Sequence, residues 1–169
     1  MATLINRIAL LFLFVAVGFT STVHAKEVAA KSIKVHKPVV YATLPGTTTA
    51  PVYMELKNVG SENVTVTRVN STVSVKAEIH GHIHSGGMMK MNYQPKLEIR
   101  KGSSVVMEPG GYHIMLIGLN KKLVAGEQVE LSFTFSDGSS LTVFAPITDM
   151  KKAMQLKQNG MKMDMHSGH

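Results

Sequence analysis

From about Ser32 to Ile147 the chain is built of short runs in which apolar and polar residues alternate. Val52-Met54-Leu56, Val73-Val75-Ala77-Ile79, Val129-Leu131-Phe133-Phe135 and Leu141-Val143-Ala145 each repeat with period two, the spacing that puts one face of a β-strand against a core. Turn-forming clusters separate the runs: Leu44-Pro45-Gly46, Gly60-Ser61-Glu62-Asn63, Pro109-Gly110-Gly111, Ala125-Gly126-Glu127 and Ser136-Asp137-Gly138. The pattern predicts an all-β domain of about seven to nine short strands, an antiparallel β-sandwich with Greek-key connections. No internal repeat is visible.

The two ends of the chain read differently. Arg7 precedes an apolar run from Ile8 to Phe19, and Val23-His24-Ala25 follows with small residues at the cleavage positions, which predicts a secretory signal peptide over residues 1–25. The run is about a dozen residues long, whereas a membrane span needs roughly twenty, so no membrane span is expected once the signal is removed. Residues 26–147 then form the sandwich domain and 148–169 an extension. In that extension Thr148 or Asp149 is placed to cap a short helix through Met150, Ala153, Met154 and Leu156, ending before Gly160.

Composition narrows the reading. A mature chain of about 144 residues suits one domain with a real core. The net charge of +7 falls to about +6 when Arg7 is removed, and the lysines are scattered. That distribution suits a solvated surface able to meet an acidic partner or lipid face. It lacks the basic cluster interleaved with aromatics that nucleic-acid binding requires. With no cysteine among 169 residues there are no disulfides, and packing and any bound metal must hold the fold.

Histidine and methionine carry the candidate chemistry. Val73, Val75, Ala77 and Ile79 claim the core side of their strand, which leaves His80 on the opposite side, with His82 and His84 in the same phase. Gly86-Gly87 can fold the next segment back as a hairpin, bringing Met89 and Met91, which share a face, near those histidines; Met88 points elsewhere. Further on, Pro109-Gly110-Gly111 leads into His113-Ile114-Met115, where positions i and i+2 offer a nitrogen and a sulfur on one side of a strand. Two imidazoles and two thioethers without a thiol form a donor set that favours soft Cu(I) over zinc, calcium or magnesium. Met161, Met163, Met165, His166 and His169 near the C-terminus add possible secondary donors, the imidazoles suited to Cu(II) and the thioethers to Cu(I).

His80, ten residues, Met91, twenty-one residues, then His113-x-Met115 resembles the signature of the PCuAC family of periplasmic copper chaperones, and the similarity runs from about Thr47 to Ile147. Gly118-Leu119 after the motif supports it. Many members carry methionine two residues after the first histidine, where this chain has His82. The resemblance implies a cupredoxin-like β-sandwich with a main Cu(I) site at His80, Met91, His113 and Met115. His82, His84, Met89 and the tail residues are secondary candidates. It also implies a periplasmic protein that gives copper to the CuA centre of cytochrome c oxidase subunit II, alongside a Sco-type protein; a monomer is expected, although a Met/His tail could bridge two chains through copper.

The alternative is a periplasmic copper buffer or resistance protein binding Cu(I) and Cu(II) through the extra histidines and the tail. Enzymatic function is not expected. A blue-copper or CuA site in this chain would need a cysteine ligand, and no nucleophile, base and orienting group occur at a recognisable spacing.

Overall fold

A computed structural model describes residues 28–85 and 88–150, and the side chains of these apart from 82–90. The predicted leader, the expected helix beyond Met150 and the Met/His tail lie outside the described residues. Among the described residues there are ten strands, one more than the seven to nine the pattern predicts: β1 (Ile33–Tyr41), β2 (Thr49–Asn58), β3 (Val64–Ser71), β4 (Ser74–Ser85), β5 (Met88–Tyr93), β6 (Leu97–Ile99), β7 (Ser104–Met107), β8 (His113–Leu119), β9 (Gln128–Phe135) and β10 (Ser140–Thr148). One short helix, α1 (Ala29–Ser32), precedes them.

The strands follow the path β5-β4-β8-β2-β1-β10-β9-β3-β6, with β7 also on β2. A bridge between β3 and β4, Val69 opposite Ala77, joins the far part of the path back to the near part. The sheet thereby closes into a flattened barrel, the two sides of which form the layers of a sandwich. Among the described residues every strand-to-strand pairing is antiparallel except β1 with β10, which run parallel at Val40–Ile147 and Tyr41–Thr148; one isolated parallel bridge joins Met107 to Tyr112. β1 reaches β10 only after a bulge between His36 and Val39, where Lys37 takes a φ of +48°. An extra residue of this kind bends and twists a strand, freeing its last residues to face a new neighbour.

The core is the set of residues the alternation selects. Val52, Met54, Leu56, Val129, Leu131, Phe133, Phe135, Val143 and Ala145 are all buried, joined by Ile114 and Leu116 from β8. Burying one Leu, Ile or Phe side chain contributes about 1.5–3 kcal/mol relative to exposure, so these positions hold the layers together. Val75 departs from the expectation. It is 79% exposed, because β8 opposite it passes through Gly118 at φ +68°, and Val75 lies over that glycine instead of the core. Ala77 and Ile79 keep the core-facing phase.

A buried polar group is fully provided for. Asn58 has no exposure; its side-chain amide donates to the carbonyls of Glu62 at 2.8 Å and Ile99 at 2.9 Å and accepts from the Gly60 N–H at 3.0 Å. It ties the β2–β3 turn to β6.

Candidate metal centre

β4 lies between β5 and β8, and the register of these three strands builds the site. His80 stands directly opposite His113, with Ile79 opposite Ile114 and Glu78 opposite Met115. Residues paired across antiparallel strands share a face, with Cβ atoms about 5 Å apart. Since Ile79 and Ile114 point into the core, His80, His113, Glu78 and Met115 form a two-by-two array on the other face. The imidazole centroids of His80 and His113 are 5.6 Å apart. Met115 is also paired with Pro51 of β2.

On the other flank, β5 runs back along β4 as the Gly-Gly hairpin predicted, from Ser85 opposite Met88 to His80 opposite Tyr93. Met91 is paired with His82 and Met89 with His84. Met91 therefore reaches His80 along the diagonal, a separation of about 7–8 Å between backbones that a long thioether spans. Met91 is 42% exposed on the outermost strand of the path, whereas His113 is only 6% exposed. The site thus has a buried nitrogen at one side and an open sulfur at the other.

Each imidazole has a fixed neighbour. His113 Nδ1 lies 3.2 Å from the Gly111 carbonyl oxygen, and His80 Nε2 lies 3.1 Å from Glu78 Oε2. Behind His113 stands Tyr53 of β2, ring centroids 6.4 Å apart, and Tyr41 lies 6.3 Å further on. Burial, then the neighbouring Tyr41, pushes the Tyr53 hydroxyl above its ordinary value, so it stays protonated at neutral pH and adds no negative charge beside the histidines. Tyr41 and Tyr53 also line an apolar groove of about 570 Å³ with Leu44, Pro51, Pro109 and Met150.

The four residues predicted for the main site are thus brought to one face of three adjacent strands, with Met91 one diagonal step from His80. His82, His84 and Met89 continue the same rows by register; Met161, Met163, Met165, His166 and His169 lie outside the described residues. Among the described residues, no group of three or more His, Cys, Asp and Glu is placed to hold an ion, so a site here depends on its thioethers. Sequence reasoning did not assign Glu78, Tyr53 or Tyr93 to the surroundings. Glu78 was legible in principle from its phase, two residues before His80. Tyr53 arrives from a strand remote in sequence and carries no local signal.

The closed β-sandwich is a fold shared with domains already solved with copper. The copper-bound PCuAC domain of PmoF2 superposes with a TM-score of 0.58 at 24% identity, covering 70% of this chain and 93% of that one. The Cu(I) form of DR1885 from Deinococcus radiodurans gives a TM-score of 0.58 at 27% identity, covering 75% of this chain and 86% of that one. Residues 33–147 match the family described as "Putative lipoprotein LpqE-like", and the chain belongs to that family. The relative named "Putative lipoprotein Lxx21020", from Leifsonia xyli subsp. xyli, is 31% identical over 153 residues, 90% of this chain and 91% of its own length.

Proposed function

We propose that this protein is an exported copper carrier that holds Cu(I) through His80, Met91, His113 and Met115 and releases it by ligand exchange. The observation that carries the reading is the direct cross-strand pairing of His80 with His113, with Met115 on the same face and Met91 within diagonal reach. The likeness to domains solved with copper supports it. Thioethers bind Cu(I) without a proton to lose, and their softness suits that ion. Met91 is the exposed ligand, so an acceptor enters on its side and displaces it first, while His113 stays anchored until last.

The acceptor we propose is the CuA centre of cytochrome c oxidase subunit II, with a Sco-type thiol protein acting alongside. Cysteine thiolates bind Cu(I) more strongly than thioethers, so copper runs downhill from this chain to such a site. The reading is of a periplasmic carrier, monomeric and without catalytic chemistry. The family and its Leifsonia relative are named as lipoproteins, but none of the 169 residues is a cysteine, so these residues offer no thiol for a thioether-linked lipid. The test is transfer: the Cu(I)-loaded protein is mixed anaerobically with a reduced, copper-free CuA domain, and the CuA absorption is followed after reoxidation. Copper-dependent CuA formation is expected; none at stoichiometric loading overturns the chaperone role.

One observation favours copper buffering as a second reading. The pairs His82–Met91 and His84–Met89 repeat the imidazole and thioether combination along the β4–β5 hairpin. Residues 151–169, with their Met and His donors, follow Met150, which lines the groove beside Tyr53. Buffering predicts more than one tightly bound copper per chain, Cu(II) included, and a deletion strain sensitive to copper but with normal oxidase.

A further inference from the structure

The two central imidazoles are held through different nitrogens. Glu78 Oε2 faces Nε2 of His80 at 3.1 Å, and the Gly111 carbonyl faces Nδ1 of His113 at 3.2 Å. A carboxylate and a carbonyl only accept hydrogen bonds, so the nitrogen facing each must carry the proton. A neutral imidazole has one N–H, and its lone pair then sits on the other nitrogen: Nδ1 in His80 and Nε2 in His113.

We propose that Glu78 is a positioning residue that fixes His80 as its Nε2–H tautomer, so that the site offers copper one Nδ1 and one Nε2 nitrogen. The inference rests on the copper reading above. Glu78 is well placed for the role. It shares the face of His80, sits opposite Met115, and its side chain is 27% exposed against 20% for His80, so water competes only partly for the bond. No lysine or arginine among the described residues forms an ion pair with it. A carboxylate on the outer N–H of a ligating imidazole fixes ring orientation and raises the basicity of the donor nitrogen. The two rings are thereby held through different nitrogens, His113 by backbone and His80 by a side chain that mutation can remove.

The test reads the tautomer directly, without metal. Long-range ¹⁵N–¹H spectra of the metal-free, ¹⁵N-labelled protein are recorded at pH about 8, above the ordinary imidazole value of about 6.5. They are compared with those of Glu78→Gln, which keeps an acceptor oxygen, and Glu78→Ala, which does not. The expected result is a protonated Nε2 in His80 and a protonated Nδ1 in His113. In Glu78→Ala, His80 becomes a tautomer mixture while His113 is unchanged, which also reports that the fold is intact; Glu78→Gln keeps the His80 tautomer. Cu(I) affinity by chelator competition falls about tenfold in Glu78→Ala and by less in Glu78→Gln. A protonated Nδ1 in wild-type His80 overturns the proposal, and so does an Ala variant with unchanged tautomer or unchanged affinity. Wild-type tautomers as stated, but with no Cu(I) binding, would instead sink the copper reading.

Discussion

The ring of Tyr112 fills the space that a side chain on Gly81 would need: a Cβ built on Gly81 stands 2.6 Å from Tyr112 Cδ1. Gly81 follows His80 and Tyr112 precedes His113, so this contact lies beside the paired histidines. Glycine is required here for close approach, not for an unusual backbone angle.

Gly81→Ala is therefore expected to push Tyr112 aside and disturb the His80–His113 pair without changing any ligand. Overpacking costs about 1–3 kcal/mol, and the low end is expected because Tyr112 is 36% exposed and can swing outward. Cu(I) affinity should fall at least several-fold in chelator competition. Adding Tyr112→Ala should recover part of the loss, a coupling that a double-mutant cycle measures.

The two proposed sulfur ligands, Met91 and Met115, should behave differently. Met91→Leu replaces an exposed thioether with a side chain of similar volume, so unfolding free energy should change by less than about 0.5 kcal/mol. Copper release to a chelator, followed by stopped flow, should nevertheless be faster by about tenfold or more. Met115→Leu removes the sulfur nearer the buried histidine and should weaken equilibrium binding at least as much.

Asn58→Ala removes a side chain that satisfies three backbone groups in a fully buried position. Leaving the buried Ile99 carbonyl without this donor costs about 1–3 kcal/mol, and urea denaturation should show a loss of that size. Asn58 lies five residues along β2 from Tyr53, so Cu(I) affinity should be unchanged in the folded variant.

Asp137 links α1 to the β9–β10 turn by accepting from Ala29 N–H at 2.9 Å and from the Ser139 hydroxyl at 2.6 Å. The Ser139 hydroxyl first, then the Ala29 N–H, holds its carboxyl below the ordinary carboxylate value. With the folded-state value depressed, its contribution is complete above the unfolded value of about 3.9 and disappears as pH falls through the lower, folded value. The side chain is solvent-exposed, so the contribution should stay under about 1 kcal/mol. Asp137→Ala should thus be slightly less stable than wild type at pH 7, and the gap should narrow below about pH 4, as thermal melts across that range would show.

What the sequence disclosed follows from where each signal resides. Phe133 and Phe135 are visible as core because period-two alternation is local, and His80 is visible as outward-facing because Ile79 beside it is not. Val75 obeyed the same alternation and misled, since the φ of +68° at Gly118 on the partner strand removed it from the core. The parallel pairing of β1 with β10 joins Val40 to Ile147 and leaves no trace in either segment. The ligand spacing was legible, whereas the diagonal offset of Met91 from His80 depends on the hairpin register that places Met91 opposite His82. The Glu78 contact required side-chain positions.

The sandwich face bearing His80, Met91, His113 and Met115 is proposed as the tightest copper site. Anaerobic Cu(I) titration against a competing chelator tests it most directly. Wild type is compared with Met91→Ala/His113→Ala/Met115→Ala and with a form ending at Gln158. The triple variant is expected to lose the tightest site and the shortened form to keep it. Tight binding that survives in the triple variant and disappears in the shortened form would contradict it and place the principal site in the tail.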